Sequence, residues 1–171
     1  MKKVLVVIDM QVDFTTGALK NEDAIAVIPA VKKRIEAARA AGEDIIFTRD
    51  THTADYLSTE EGRNLPVEHC VKGTPGWEIV PELSSFAEEV IDKPTFGSRE
   101  LGERLAEGAY DEVELIGVCT DICVISNAMI AKAFLPNAHV IVDGSCCAGV
   151  TKESHLAALE AMKVCHVEVR Q

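Results

Sequence analysis

Short apolar runs alternate with helical patterns along most of the chain. The runs that predict β-strands are rich in Val and Ile and cover residues 3–9, 44–50, 88–93, 112–118, 138–143 and 165–170. The first of them, "KVLVVID", is almost continuously apolar. That pattern is typical of a strand that is buried on both faces of a parallel sheet.

Between these runs, apolar residues recur at helical spacing. The predicted helices cover residues 23–42, 100–108, 121–135 and 152–163. Gly42 and Pro136 are placed to end two of the helices, and Thr151 is placed to cap the last one. Strands that alternate with crossover helices predict one α/β domain over residues 1–171. We expect a Rossmann-like three-layer α/β/α sandwich around a parallel sheet of about six strands.

Residues 51–87 lack a regular period, apart from a short helical stretch near "GWEIVPELSSFA". Long segments without periodicity inside a compact domain are often functional. In doubly wound α/β folds, ligands bind at the carboxyl ends of the strands. The residues that follow each predicted strand are therefore the first candidates for chemistry.

Composition and charge narrow the class of protein. The chain has 171 residues, of which 47% are hydrophobic, enough for a globular core. Its net charge of −11 argues against binding to nucleic acids or to anionic membrane surfaces. Asp9 interrupts the N-terminal apolar run, which favours a strand over a signal peptide. Six cysteines without an export signal predict reduced thiols and a cytoplasmic protein.

A carboxylate and an ammonium group lie at the ends of two predicted strands. Asp9 ends the first strand and Lys93 ends the third. A buried carboxylate is costly without a partner, so Asp9 is either a general base, a residue that orients one, or a solvated loop residue. Lys93 is either a surface charge or, if it faces the same crevice, a cation that stabilises a thiolate or a developing negative charge.

Two cysteines, Cys119 and Cys123, lie in "ELIGVCTDICVISNA". They could be a redox or metal pair, two core cysteines, or one nucleophile with a neighbour; their three intervening residues differ from the usual two of a dithiol motif. Cys123 is predicted in the first turn of a helix capped by Thr120 or Asp121. There the helix dipole is expected to lower the thiol pKa, and backbone N–H groups could hold an oxyanion.

A set of possible metal ligands follows the second predicted strand: Asp50, His52, Glu61 and His69. Asp50 and His52 are two residues apart, which in an extended chain points both side chains the same way. Two histidines with one or two carboxylates suit Zn, Mn or Fe. The alternative is that these are ordinary loop residues.

Three further features could shape a substrate pocket. Phe14 and Trp77 have flat rings that could stack on a substrate, and Phe14 is the better candidate because it lies close to Asp9 in sequence. The small residues of 143–149, which include Cys146 and Cys147, predict a turn that forms a pocket wall.

The motifs occur in a characteristic order: "DMQVDF", "RDTH", "EHCVKGTPG", Lys93 and "GVCTDICV". In this order the sequence resembles the isochorismatase-like cysteine hydrolases, a superfamily that includes nicotinamidases, over nearly its whole length. The resemblance implies a parallel α/β sheet with helices on both sides. It also implies a catalytic triad of Asp9, Lys93 and Cys123.

The family mechanism assigns a role to each of these residues. Asp9 would take the thiol proton, Cys123 would attack an amide carbonyl, ammonia would leave, and water would hydrolyse the thioester. The resemblance also implies a non-proline cis peptide before Cys119. The backbone N–H groups of Cys119 and Cys123 would then form the oxyanion hole, so the Cys119 side chain is not required.

Metal-binding members of the family use an Asp-x-His pair and a later His. Asp50, His52 and His69 match these positions, and Glu61 resembles the fourth ligand of some nicotinamidases. The implied cofactor is a divalent metal, Zn first and Mn or Fe next. In the family, the pyridine nitrogen of nicotinamide binds that metal.

One departure concerns the substrate. Several nicotinamidases carry an aromatic residue shortly before the later His, whereas this chain has "NLPVEHC". Part of a ring-stacking clamp is then missing, or Tyr56 or Trp77 replaces it.

The expected activity is hydrolysis of nicotinamide to nicotinic acid by a homodimer or homotetramer. The alternatives are a carbamoylsarcosine- or ureidoacrylate-type hydrolase, a non-catalytic metal-binding member and a thiol redox protein. The isochorismatase branch lacks the nucleophilic cysteine, so Cys123 favours amide over vinyl-ether cleavage.

Overall fold

A single parallel sheet organises the computed structural model, which describes all 171 residues. Its strands lie in the order β3-β2-β1-β4-β5-β6. They are β1 (Lys3–Ile8), β2 (Asp44–Asp50), β3 (Val90–Lys93), β4 (Glu112–Val118), β5 (His139–Ala148) and β6 (Glu168–Arg170). The prediction of a parallel sheet of about six strands is confirmed.

Helices connect the strands. They are α1 (Glu22–Ala41), α2 (Glu60–Asn64), α3 (Pro81–Ser84), α4 (Arg99–Gly108), α5 (Ile125–Phe134) and α6 (Lys152–Val164). Gly42 ends α1 with a left-handed φ of 71°, and the Thr151 side chain accepts a hydrogen bond from the Ser154 N–H at the start of α6. Both ends match the predicted signals. None of the helices combines the length and the apolar composition of a membrane span.

The core lies on both faces of the sheet. On β1, alternate residues point to opposite sides because side chains alternate along a strand. Val4, Val6 and Ile8 pack with residues of α4, α5 and α6, whereas Leu5 and Val7 pack with residues of α1. The predicted three-layer α/β/α arrangement is therefore confirmed.

The predicted turn after the fifth strand is wrong. β5 runs on to Ala148 instead of ending at residue 143. Its pairing with β4 shifts register before Gly117, and this irregularity lets the small residues continue as strand. Cys146 and Cys147 consequently lie in the sheet and pack on its opposite faces.

The aperiodic segment between β2 and β3 is built from short pieces. It contains the 3-10 helices Tyr56–Ser58 and Pro75–Trp77 together with α2 and α3. An isolated bridge pairs His52 with Val71. These pieces bring polar residues to the carboxyl end of β2.

Candidate active site

Asp9 immediately follows β1 at the carboxyl edge of the sheet. Its backbone takes a left-handed φ of 48°, and the residue is fully buried. The hydroxyl of Thr48, on the adjacent β2, donates a hydrogen bond to Asp9 Oδ1 at 2.7 Å. The carboxylate is therefore held in one orientation, with Oδ2 left for another partner.

Lys93 ends β3 and supplies that partner. Its Nζ lies 2.7 Å from Asp9 Oδ2 and 3.3 Å from Cys123 Sγ. It also donates a hydrogen bond to the carbonyl of Thr95 at 3.1 Å. The structure thus brings together the three residues of the predicted triad, which come from three separate parts of the chain.

At the Asp9–Lys93 ion pair, burial and the charge of the partner shift each pKa in opposite directions. Burial raises the pKa of Asp9, and the charge of Lys93 only partly offsets that effect. Burial lowers the pKa of Lys93, but the negative charges of Asp9 and its neighbours outweigh burial and raise the pKa overall. Lys93 therefore remains a cation, and Asp9 is a carboxylate of increased proton affinity.

The expectation that helix geometry lowers the Cys123 pKa is wrong. Cys123 lies in a π-helical turn, Thr120–Val124, and is 5% exposed. Burial, followed by the charge of Asp9, raises the pKa of its thiol well above the ordinary value, and the charge of Lys93 offsets only part of this rise. Cys123 is thus a neutral thiol at rest, and a base beside it would be needed to form its thiolate.

The turn before Cys123 contains the expected backbone feature. The Val118–Cys119 peptide is cis. The carbonyl of Cys119 accepts hydrogen bonds from the N–H groups of Ile122 and Val124. Burial raises the pKa of the Cys119 thiol to about 12, which disfavours its thiolate.

Next to the Asp9–Lys93 ion pair, four possible metal ligands form a compact cluster. One ligand atom from each of Asp50, His52, Glu61 and His69 lies within 4.8 Å of the others. Asp50 Oδ2 lies 3.0 Å from His52 Nε2 and 3.4 Å from His69 Nε2. Glu61 Oε1 lies 3.7 Å from both of these nitrogens.

The cluster has the properties of a cation site. His69 Nδ1 donates to the Val67 carbonyl at 2.8 Å, which leaves Nε2 available as a ligand. Burial, followed by the charge of Asp50, raises the pKa of Glu61, so a cation would relieve the crowding of the two carboxylates. Two imidazole nitrogens and two carboxylates fit Zn, and also Mn or Fe.

Gln11 also lies at this site, although the sequence patterns predicted no role for it. Its fully buried side chain donates hydrogen bonds to the carbonyls of Asp50 (2.9 Å) and Trp77 (2.8 Å), and it accepts one from the Asp50 N–H at 2.7 Å. Because the chain leaves the sheet at Asp9, this amide takes the place of a neighbouring strand for Asp50. The sequence feature that could have revealed Gln11 is a polar amide close to the end of a buried strand.

The aromatic candidates occupy different positions. Phe14 is partly buried, and its ring centroid lies 5.6 Å from that of His69. Tyr56 is fully buried, so protein covers both faces of its ring. Trp77 lies under the guanidinium of Arg49, 3.6 Å from its ring centroid. Neither Tyr56 nor Trp77 therefore offers a free face to a substrate, and the idea that one of them replaces the missing aromatic residue is wrong.

Comparison with known proteins defines the class of the molecule. The isochorismatase domain model matches residues 3–171. The chain belongs to the isochorismatase family.

Particular relatives narrow the comparison. The chain is similar to a nicotinamidase/pyrazinamidase of Mycobacterium tuberculosis, with 31% identity over 98% of this chain and 97% of the relative. A pyrazinamidase of Pyrococcus horikoshii in complex with zinc superposes with a TM-score of 0.87 at 31% identity, covering 100% of this chain and 99% of the other. A nicotinamidase/pyrazinamidase of Bacillus subtilis superposes with a TM-score of 0.89 at 28% identity, covering 100% of both chains.

Proposed function

We propose that this protein is a single-domain, cysteine-dependent amidohydrolase that converts nicotinamide to nicotinic acid and ammonia. Its family and its nicotinamidase relatives show a hydrolase that acts on amides. What we propose beyond this is that the Cys123 thiol is the nucleophile and that nicotinamide is the substrate. The observation that carries it is the position of Lys93 Nζ between Asp9 Oδ2, at 2.7 Å, and Cys123 Sγ, at 3.3 Å.

The first half of the reaction forms a thioester. Asp9 takes the proton from the Cys123 thiol, and the ammonium of Lys93 stabilises the resulting thiolate. The sulfur attacks the amide carbonyl carbon and forms a tetrahedral oxyanion. When the C–N bond breaks, Asp9 returns the proton to the leaving nitrogen, which departs as ammonia.

The second half returns the enzyme to its resting state. A water molecule gives a proton to Asp9 and attacks the thioester carbonyl. When the C–S bond breaks, the Cys123 sulfur recovers a proton from Asp9 and the carboxylic acid is released. In both halves, the backbone N–H groups of Cys119 and Cys123 would hold the oxyanion.

The proposed metal site would orient the substrate. Asp50, His52, Glu61 and His69 would hold one divalent ion, with zinc the first choice. The bound ion would supply a Lewis-acid anchor for a ring heteroatom such as the pyridine nitrogen. Phe14 would contact the aromatic ring from its position beside His69.

The remaining parts of the proposal concern location and assembly. The net charge of −11 supports an enzyme that acts on a small molecule and binds neither nucleic acid nor membrane, and the six cysteines support a location in the cytoplasm. We also propose a homodimer or homotetramer, as is usual in the family.

An ammonia-release screen tests the proposed function. The panel contains nicotinamide, pyrazinamide, benzamide, N-carbamoylsarcosine and ureidoacrylate, each with zinc-loaded wild type and with Cys123→Ala. We expect wild type to release ammonia fastest from the two ring amides that carry a ring nitrogen, and Cys123→Ala to release none.

Two outcomes would contradict the proposal. Faster turnover of the carbamoyl or ureido compounds would assign the protein to another C–N hydrolase branch. No ammonia from any compound, together with a Cys123 thiol that resists alkylation, would indicate a non-catalytic metal-binding member.

A further inference from the structure

Asn127 is a buried amide one helical turn after Cys123. It lies on α5 and is fully shielded from solvent. A buried amide is costly unless its polar atoms are hydrogen-bonded. Asn127 satisfies this requirement with three hydrogen bonds, and none of them goes to Asp9, Lys93 or the cluster of possible metal ligands.

The three hydrogen bonds join two separate segments. Asn127 Nδ2 donates to the Cys123 carbonyl at 2.8 Å and to the Phe96 carbonyl at 3.0 Å. Asn127 Oδ1 accepts from the Ser98 N–H at 2.9 Å. One side chain therefore connects the turn of the nucleophile with residues 96–98, the loop that follows Lys93.

The same loop contacts the ammonium group of Lys93. The Thr95 carbonyl, one residue before Phe96, accepts a hydrogen bond from Lys93 Nζ at 3.1 Å. At Gly97 the loop comes so close to α5 that an added Cβ would lie 3.2 Å from Ile130 Cγ1. The loop is thus packed on α5, and Asn127 fixes its backbone on both sides of Gly97.

From these contacts we infer that Asn127 is a positioning residue that sets the distance between Lys93 Nζ and Cys123 Sγ, which is 3.3 Å. This inference rests on the proposed thiol mechanism. The amide ties the Cys123 turn to the loop that holds the ammonium group, and its loss would let the two groups move apart. Positional errors of about 1 Å at reacting groups cost about 100-fold in rate.

Two variants test the inference. Asn127→Leu keeps the branching and the number of side-chain heavy atoms and removes all three hydrogen bonds. Asn127→Asp keeps the acceptor for Ser98 but removes both donated bonds. Ile35→Ala serves as a stability-matched control, because Ile35 is fully buried on α1 at the end remote from the carboxyl edge of the sheet.

The readouts are kcat and KM for ammonia release and the pH profile of Cys123 alkylation by iodoacetamide, measured by mass spectrometry of the Cys123 peptide. For Asn127→Leu we expect kcat to fall by about 10- to 100-fold. We expect KM to change less than threefold and the alkylation profile to move to higher pH, since the thiolate loses part of its contact with Lys93. Ile35→Ala should keep the wild-type profile.

Wild-type kcat and an unchanged alkylation profile in folded Asn127→Leu would overturn the inference. If Asn127→Leu does not fold, the same criteria apply to Asn127→Asp. The alkylation readout needs no substrate, so it separates the two proposals. A wild type that releases no ammonia defeats the proposed function, whereas an unshifted Cys123 profile defeats the role of Asn127.

Discussion

Asp50 Oδ1 lies 3.7 Å from the Lys93 ammonium group. The other oxygen of the same carboxylate faces the two histidines of the candidate metal site. Asp50 therefore connects that site with the Asp9–Lys93 ion pair beside Cys123, and a disturbance of either side is expected to affect the other.

Removal of the metal is the first prediction. Prolonged dialysis against a chelator is expected to abolish ammonia release, and one equivalent of zinc per chain is expected to restore it. The physical reason is that two carboxylates and two imidazoles offer ligand atoms within 4.8 Å of one another. Metal content by atomic emission spectrometry, measured together with activity, checks the result.

Matched histidine variants sharpen this prediction. His52→Ala is expected to lose bound zinc, whereas His139→Ala is expected to retain it, because His139 is half exposed and pairs with Glu168 instead. Full activity after verified metal removal would exclude a metal from the mechanism.

The second prediction concerns Gln11. Gln11→Leu leaves the buried N–H and carbonyl of Asp50 without their partners, at a cost of about 1–3 kcal/mol in the free energy of unfolding. Because Asp50 is then less well oriented, zinc affinity is expected to fall by about 10- to 100-fold. Urea denaturation and competition with a chromophoric chelator measure the two effects.

Ile35→Ala is again the control for stability. It should lower the free energy of unfolding without changing zinc affinity. Equal zinc affinities for wild type and Gln11→Leu would show that Gln11 supports the fold and not the metal site.

The third prediction concerns an ion pair away from the site. Arg34 donates two hydrogen bonds of 2.9 Å to the carboxylate of Glu114, whose side chain is 3% exposed. Arg34→Met leaves this buried charge without its main partner. The expected loss is about 3 kcal/mol, the low end for a broken buried pair, because Arg170 remains 3.6 Å away.

A double variant shows whether the stability is lost because the ion pair is missing or because a buried charge remains unpaired. Arg34→Met with Glu114→Leu is expected to recover most of the loss, because it removes the stranded charge. Activity per folded molecule should stay at the wild-type level in both variants. A double variant no more stable than Arg34→Met would contradict this explanation.

Much of the fold was predictable because its signals are local. A run such as "KVLVVID" and the helical spacing of 23–42 each specify one element. The small residues of 143–149 were predicted wrongly, because their strand conformation depends on a register shift in the pairing of β5 with β4. That shift leaves no trace in the local sequence.

The site was only partly predictable for a related reason. Charged and thiol side chains at strand ends are recognisable in a sequence, so Asp9, Lys93 and Cys123 were predicted, and the structure places them together. Gln11 and Asn127 hydrogen-bond to backbone groups of segments that are distant in sequence, Asp50 and Trp77 for Gln11 and Phe96 and Ser98 for Asn127, and an amide has no characteristic spacing. The pKa of Cys123 depends on how deeply the turn is buried, which the sequence pattern does not reveal.

Ammonia release from nicotinamide by Cys123→Ala and Cys119→Ala, compared with wild type, tests the central claim most directly. We predict that Cys123→Ala loses at least about 1,000-fold in kcat. Cys119→Ala is predicted to retain much of the activity, because only its backbone N–H is used. Substantial turnover by Cys123→Ala, or a folded Cys119→Ala as inactive as Cys123→Ala, would contradict the mechanism.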